Sequence, residues 1–186
     1  MHRSSHRQAL RVGAALLALA ASAPSVSAQM KATAAPSFGV GYTDIGPAVG
    51  VGGLSGASAS FGGRFEHAVK TLPSMNNGIL GIEASFDYYS WSAPSYSYKY
   101  IPIGVTANYH FKVDEPKLDP FLGLGLGYRV ITCSWAGSGI NACSNSAVYF
   151  IGRAGARYFF QPAMAAYADV GAGAATLNIG LMFKLP

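Results

Sequence analysis

The sequence predicts an all-β protein, an eight-stranded antiparallel up-and-down transmembrane β-barrel, and three observations carry that prediction. Most of the chain divides into segments in which large apolar residues alternate with small or polar ones, separated by turn residues, a pattern typical of barrel strands. The chain is 51% hydrophobic but only 11% charged, whereas a soluble domain carries about a quarter charged residues. It begins with an export signal, and no later apolar run approaches the ~18 residues of a transmembrane helix.

The N-terminus has the three parts of a secretory signal peptide. Three arginines come first, an apolar run follows over 12–22, and small residues offer a cleavage point after Ala28. The apolar run is too short to cross a membrane as a helix. We therefore predict a cleaved signal peptide over 1–28 rather than a buried N-terminal helix.

The remainder is predicted to be a short leader over 29–36 and one barrel domain over 37–186. Residues 29–186 contain ten basic and eight acidic side chains and no run of Lys or Arg. This balance argues against a nucleic-acid partner. Export, few charges and no membrane helix together favour a barrel in the bacterial outer membrane.

Eight strands account for the alternating segments. No segment has the i, i+3, i+4, i+7 apolar stripe of a helix. The connections include GPAVGVGGLSG after the first strand and SWAGSGINACSNS after the fifth. The predicted strands are 37–44, 57–68, 79–91, 97–111, 120–132, 147–160, 163–171 and 176–185.

The fifth strand shows the alternation most clearly. In PFLGLGLGYRV (120–130), Leu122, Leu124 and Leu126 share one face, while glycines and Arg129 share the other. Successive strand side chains point to opposite faces. A soluble barrel would put the large apolar side chains inside and a densely charged face in water, and a membrane barrel would do the reverse.

The charges decide between these two barrels. The apolar faces carry no acid, Lys or Arg, whereas isolated charges of both signs occupy the small-residue faces. This favours lipid outside and a crowded lumen inside, in which glycines leave room for long arginine side chains. The predicted lumenal charge network consists of Arg64, Glu66, Glu83, Asp87, Arg129, Arg153, Arg157, Asp169 and Lys184.

Two of these carboxylates, Glu83 and Asp87, lie four residues apart on the same side of one strand. Paired carboxylates can do acid–base chemistry. With several lumenal arginines available, we interpret them instead as part of a buried ion network, which stabilises only when every member is satisfied.

Aromatic residues cluster towards both ends of the strands, which predicts an aromatic belt at each membrane interface. Ordinary core packing does not explain segregation to both ends. One cluster lies where the third and fourth strands meet and comprises Tyr88, Tyr89, Trp91, Tyr96, Tyr98 and Tyr100. The other lies at the opposite strand ends and comprises Tyr109, Phe111, Phe121, Tyr158, Phe159, Phe160 and Phe183.

The export signal, the eight alternating strands and the aromatic-bearing last strand resemble small bacterial outer-membrane proteins of the opacity-protein type and the membrane domain of outer-membrane protein A. The resemblance covers the chain after the signal. It implies a monomer in contact with outer-membrane lipid and lipopolysaccharide, assembled by the barrel-assembly machinery. Members usually end on an aromatic residue, whereas this chain continues past Phe183 to Lys184, Leu185 and Pro186.

The two cysteines, Cys133 and Cys143, bracket one short segment. In an exported protein this spacing predicts a disulfide that closes an outer loop. A metal site would need further ligands, and no His, Asp or Glu lies between them.

Enzymes exist on small outer-membrane barrels, including lipid A deacylases and palmitoyltransferases. They need a nucleophile, a base and an orienting acid. His110 has no closely placed serine in a His-x-Ser arrangement, and His67 lies in RFEHA near the end of the second strand. We interpret both, the histidines after the signal, as turn-proximal or interfacial. No phosphate-binding glycine motif occurs.

The sequence thus predicts a non-enzymatic envelope protein with a structural or surface-interaction role and no cofactor or metal. Two alternatives stay open, a narrow porin-like pore for small solutes and a lipid A-modifying barrel enzyme. Eight strands leave little free bore for a pore.

Overall fold

The computed structural model describes residues 38–52, 59–135 and 145–186, and the predicted signal peptide and leader lie outside these ranges. The described strands form one closed barrel in sequence order, with every neighbouring pair antiparallel, including β1 with β8. Within the described ranges, no helix is long and apolar enough to cross a membrane. The strands are β1 (Thr43–Val51), β2 (Ala59–Leu72), β3 (Gly78–Ala93), β4 (Tyr96–His110), β5 (Leu118–Trp135), β6 (Asn145–Gln161), β7 (Met164–Ala172) and β8 (Leu177–Lys184).

The two ends of the barrel differ in their connections. β1 begins and β8 finishes at the same end, which we call the terminal end, together with the turns that follow β2, β4 and β6. We call the opposite end the loop end. The strands also differ in length, since β3 to β6 have 15 to 18 residues whereas β1, β7 and β8 have 8 or 9.

The first strand was predicted too early, at 37–44, and the segment read as a loop contains most of β1. Gly46, Pro47 and Gly50 suggested a turn. In the structure Gly46 faces the lumen, and a Cβ there would lie 1.7 Å from the Leu181 carbonyl oxygen. The described pairing of β1 with β8 skips Gly46 and Pro47. Glycine is therefore required by a close approach of two strands, and proline is tolerated beside the gap in the pairing.

The other seven strands lie within a few residues of their predicted positions, and the assignment of faces in β5 is confirmed. Leu122, Leu124 and Leu126 point outwards with exposed fractions of 50%, 63% and 61%. The glycines between them and Phe121 point into the lumen. An exposed apolar surface of this extent is the lipid-facing band of a transmembrane barrel.

The apolar band runs as cross-strand rows on the outside of β3, β4 and β5. Leu80 pairs with Tyr109 at its lower margin, and Ile101 pairs with Val130 at its upper margin. From Ile101 to Tyr109 the band covers nine residues of β4. This matches the ~9–11 residues that a tilted strand needs to cross a bilayer.

Candidate functional site: the lumen and the loop-end mouth

Towards the terminal end, the lumen contains a cluster of charged side chains around Arg157. Its guanidinium pairs with Glu66, lies 3.4 Å from Asp119, and has its Nε 3.4 Å from Asp44. Arg157, Glu66 and Asp44 are fully buried. Three carboxylates around one guanidinium make Arg157 the charge on which this terminal-end cluster depends.

His110 links two members of the same cluster. Its Nε2 lies 2.8 Å from Glu66, and its Nδ1 lies 2.9 Å from Asp119. The side chain is 2% exposed. The hydrogen bonds of His110 therefore join β4 to β2 and β5 inside the barrel, at the last residue of β4.

A short segment before β1 caps this cluster. Phe38 and Tyr42 are each 5% exposed. Phe38 stacks on His110 with ring centroids 3.7 Å apart and lies 4.9 Å from the Arg157 guanidinium carbon. Backbone hydrogen bonds from Gly41 to Ala68 and from Ala68 to Tyr42 fix the segment against β2. The two aromatic rings exclude water from the charges beneath them.

A cavity of about 560 Å³ opens beside the cap. Its lining includes Phe38, His110 and Asp119, together with residues of the turn between β4 and β5. The cavity thus ends at the buried side chains of Asp119 and His110, at the margin of the terminal-end cluster.

Towards the loop end, a second cluster joins β2, β3, β6, β7 and β8. Arg64 donates to Asp87 at 3.1 Å and to Asn178 at 3.0 Å. Asn178 in turn donates to Asp169 at 2.8 Å. Arg153 and the Tyr167 hydroxyl both donate to Asp169 as well. The hydrogen bond from Arg64 to Asn178 spans β1, and the other interstrand bonds join neighbouring strands, so together they brace the lumen wall from β6 round to β3.

Glu83 lies on the lumenal face together with Asp87, as the four-residue spacing requires. It accepts a hydrogen bond of 3.5 Å from Asn108 and has no ion pair among the described residues. Its role in the lumen is therefore that of a buried acceptor, not one half of a carboxylate pair with Asp87.

The lumenal glycines of β5 provide space, but for different side chains than the sequence suggested, whereas Gly173 does lie against the Arg153 guanidinium. A Cβ on Gly127 would lie 2.2 Å from the Tyr149 ring, and one on Gly123 would lie 2.2 Å from Asn108 Oδ1. Both neighbours belong to adjacent strands. The clearance along β5 therefore serves an aromatic ring and an amide instead of the expected arginine side chains.

Two residues of the predicted charge network lie apart from it. Arg129 faces inwards above the loop-end cluster, where its Nε is buried without a hydrogen-bond partner, and the described residues provide no ion pair for it. Lys184 is exposed at the terminal end, with its Nζ 5.6 Å from the centre of the Tyr42 ring. Lys184 is the last residue of β8 and the cross-strand partner of Asp44, but it is exposed, whereas Asp44 is buried and lies against Arg157.

Most of the predicted outer aromatic belt was assigned to the wrong face, although Tyr88 does face outwards, with its ring 5.5 Å from that of the exposed Phe61. Tyr89 pairs with Tyr100, and Trp91 pairs with Tyr98, with all four on the inward side of β3 and β4. Tyr89 and Tyr100 are buried, and the Tyr89 hydroxyl donates to the Ala174 carbonyl at 2.8 Å. These rings line the mouth of the barrel instead of facing lipid.

The belt at the terminal end is partly as predicted. Tyr158, Phe160 and Phe183 are exposed on the outside. Phe121 and Phe159 face the lumen and are only 2% and 1% exposed. The strand period explains the split, because neighbours in the chain point to opposite faces.

Where β3, β4 and β5 extend beyond the apolar band, the apolar side chains change from the outer to the inner face of the sheet. We call this change the inversion of sidedness. Inside, the mouth is aromatic. Outside, Ser90, Lys99 and Thr132 form one cross-strand row, and Ser92, Ser97 and Ser134 form the next. Polar outside and apolar inside is the arrangement of a sheet in water. The inversion therefore marks the edge of the membrane, and we call this part of the three strands the projecting sheet.

The remaining sequence-predicted residues are placed as follows. Cys133 is buried and faces inwards next to Tyr98, while Cys143 lies outside the described residues, so the disulfide stays a prediction. His67 is exposed, and its Nδ1 lies 2.7 Å from the Thr43 hydroxyl. In the described part of the chain, no group of three or more His, Cys, Asp or Glu is arranged to hold a metal ion.

Sequence reasoning did not include several residues of the two clusters. Asp44 was in a strand that was placed too early, and Asp119 was assigned to a connection. Neither aspartate was visible in the alternation of large apolar with small or polar residues, because each lies at the end of its strand. The lumenal face of β7, AxYxD in alternate positions over 165–169, does contain Tyr167 beside Asp169 and could have indicated the pair.

These features define an eight-stranded transmembrane β-barrel with a charged, braced lumen. Its fold is similar to that of Ail, the attachment invasion locus protein of Yersinia pestis (18% identity, 77% of this chain and 93% of that one, TM-score 0.51). It is also similar to the outer membrane protein OprG from Pseudomonas aeruginosa (14%, 80% and 98%, 0.53) and to Neisserial surface protein A (18%, 78% and 97%, 0.53). No family model and no curated protein matches the sequence. The likeness is one of fold.

Proposed function

We propose that the chain is a monomeric, non-enzymatic barrel of the bacterial outer membrane, with its terminal end in the periplasm and its projecting sheet at the cell surface. The observation that carries this proposal is the inversion of sidedness above Ile101 and Val130. Strands that only cross the bilayer would end with the apolar band, whereas three strands of this barrel continue beyond it into water. Their continuation provides a surface for interaction outside the membrane.

The mouth is the part of this surface that we propose contacts surface ligands. Trp91 is 44% exposed although it points inwards, and its ring lies 5.8 Å from that of Tyr96. Arg129 lies two rows deeper, without an acidic partner among the described residues. Aromatic rings and arginines are the side chains that dominate recognition surfaces, and the mouth contains both, with the rings at the rim and Arg129 beneath them.

The lumen supports a structural role. Arg157 and Arg64 are almost completely buried, and Phe38 covers the terminal end. Arg157 pairs with Glu66 on the facing strand, and Arg64 pairs with Asp87 on the neighbouring strand. A solute path would have to break these contacts. A protein of this kind would give no discrete conductance in planar bilayers, and stable single-channel steps would favour the pore.

A second candidate rests on one contact. The Thr43 hydroxyl and His67 form a nucleophile–base pair of suitable distance at the terminal end. No described carboxylate contacts the other ring nitrogen, so the orienting acid of a triad is lacking among the described residues. Unchanged lipid A mass spectra on overexpression, for wild type and His67→Ala alike, would exclude the enzyme.

The orientation is tested by cysteine labelling with a membrane-impermeant maleimide on intact cells. We expect Ser92→Cys, in the projecting sheet, to be labelled in intact cells, and Lys112→Cys, in the turn after β4, only after lysis. Wild-type protein is the control for maleimide labelling of the native Cys133 and Cys143. Labelling of Lys112→Cys alone in intact cells would reverse the proposed orientation.

A further inference from the structure

The outer face of the projecting sheet has an unusual composition. Six neighbouring side chains point away from the barrel there, five with hydroxyl groups and one with an ammonium group. We call them the hydroxyl–lysine patch. They are Ser90, Ser92, Ser97, Lys99, Thr132 and Ser134.

The patch is continuous because its members are cross-strand neighbours. Lys99 pairs with Ser90 on one side and with Thr132 on the other. In the next row, the Ser97 and Ser134 hydroxyl oxygens lie 2.5 Å apart. Side chains that pair directly across strands are about 5 Å apart. Lys99 therefore has hydroxyl-bearing neighbours on β3, β4 and β5.

Lys99 has no side-chain partner in the part of the chain that the structure describes. It is exposed, and the described residues offer it neither an ion pair nor a hydrogen bond through its side chain. A lysine placed to stabilise the sheet would face an acid across the strands. Here both cross-strand neighbours are neutral hydroxyl residues, so the charge is available to a group outside the chain.

The position of the patch identifies that group. Lys99 lies two residues from Ile101 on the same face of β4, and Thr132 lies two residues from Val130 on β5. Two residues along a strand are about 7 Å. The patch therefore begins where the acyl-facing band ends, at the depth of the lipid headgroups.

The chemistry of the patch also selects among headgroups. An ammonium is a point-charge donor that suits phosphate. Hydroxyl groups both donate and accept, which suits the hydroxyls of a sugar. The patch contains no aromatic or large apolar anchor of the kind that a protein partner would need. One lysine is also too little charge for a nucleic acid.

We propose that the hydroxyl–lysine patch binds the phosphorylated sugar headgroup of an outer-leaflet lipid, with Lys99 on the phosphate and the hydroxyls of Ser90, Thr132 and the row above on the sugar. This inference rests on the proposed surface orientation of the projecting sheet. The bound headgroup fixes the three strands of the projecting sheet at the membrane surface and so keeps the aromatic mouth accessible to surface ligands.

Binding is tested with purified, folded protein in detergent and with lipid A as the probe, by counting bound lipids in native mass spectra over a lipid titration. We expect wild type to bind bisphosphorylated lipid A and to bind dephosphorylated lipid A much more weakly. Lys99→Gln should weaken binding of the bisphosphorylated form about tenfold or more, because it removes one charge-assisted contact. The double variant Ser97→Val with Ser134→Val should weaken both forms.

Lys112→Gln is the matched control, since it removes an exposed lysine from the terminal-end turn and should bind like wild type. Heat-modifiable migration on gels confirms that each variant is folded. If a variant does not fold, the binding of Thr132→Val is measured in its place. Equal affinity of wild type and Lys99→Gln, or affinity independent of the phosphates, would overturn the inference. Since the assay is done in detergent, its result does not depend on the cellular orientation, which the cysteine labelling tests separately.

Discussion

Phe38 stacks on His110 with their ring centroids 3.7 Å apart and their planes 19° from parallel. The contact joins a residue before the first strand to the last residue of β4. It covers the His110 imidazole from the terminal end while Glu66 and Asp119 hold its two nitrogens. The cap is thus part of the folded barrel and lies within the predicted domain, upstream of its true first strand.

Replacing Phe38 with alanine should destabilise the barrel by about 3 kcal/mol, since a buried ring is lost and the charges beneath it gain access to water. Phe61→Ala is the control, because Phe61 is 63% exposed on the lipid-facing side. The measurement is the urea midpoint of unfolding in lipid vesicles, followed by gel migration. An equal shift for both variants would show that the cap does not seal the lumen.

Replacing Arg157 with glutamine should cost about 3–5 kcal/mol, because Asp44, Glu66 and Asp119 would remain buried without their shared cation. Arg129→Gln should change stability little, because Arg129 has no ion pair among the described residues.

A further variant isolates the charge from the loss of packing. Glu66→Gln on the Arg157→Gln background should recover part of the lost stability, since it removes one of the unpaired carboxylates. The comparison is made by urea unfolding of wild type, Arg157→Gln, Arg129→Gln and the double variant. A double variant less stable than Arg157→Gln alone would contradict the view that unpaired charge causes the loss.

Much of this fold was readable from the sequence because a barrel strand has one strong constraint, a period of two between lipid and lumen. The leucines and glycines of β5 obey it without exception from Leu122 to Gly127, so both the strand and its faces were correctly assigned. The fourth strand was predicted one residue from each of its true ends.

The errors fall where that constraint is absent. In β1 the lumenal positions Gly46 and Gly50 resemble turn residues, because the Leu181 backbone of β8 at Gly46 and the Ser60 side chain of β2 at Gly50 leave room for nothing larger. In the projecting sheet the environment changes from lipid to water, so the apolar face changes sides at Tyr89 and Tyr100. Periodicity alone carries no information on where that change happens.

The candidate site was only partly predictable for a related reason. The sequence shows which charges face inwards, but partners come from barrel closure. Arg64 and Asn178 are 114 residues apart in the chain, on the two strands that flank β1, and their side chains are hydrogen-bonded inside the barrel. No spacing rule connects residues on β2 and β8, whose distance depends on the closed geometry of all eight strands.

Gly127→Ala should destabilise the barrel by about 1–3 kcal/mol, since its Cβ would overlap the Tyr149 ring on the neighbouring strand. Tyr149→Ser should rescue this variant by removing the ring. Gly63→Ala is the control, because the nearest atom to a Cβ there is 3.7 Å away. Thermal unfolding measured by gel migration compares them. An unrescued Gly127→Ala would mean that strand geometry, not the Tyr149 ring, requires the glycine.

The predicted disulfide between Cys133 and Cys143 should protect both thiols in protein isolated from cells. Denatured protein should take up a maleimide only after reduction, and Cys143→Ser should take up one equivalent without it. Closing so short a loop should contribute about 2–3 kcal/mol, so reduction should lower the urea midpoint of wild type. Two reactive thiols before reduction would contradict the disulfide.

Leu126 and Thr132 lie on the same outer face of β5, six residues apart, and should respond oppositely to a lysine. Leu126 is 61% exposed in the middle of the apolar band, where a lysine should cost about 2–4 kcal/mol because its charge is placed in hydrocarbon. Thr132 belongs to the first polar row, where the same change should cost about 0–1 kcal/mol. Folding efficiency and urea midpoints in phospholipid vesicles measure the difference, which should shrink in detergent because a micelle adapts its boundary to the protein. Similar costs at both positions would place Thr132 inside the membrane, and the inversion of sidedness would then no longer mark its edge.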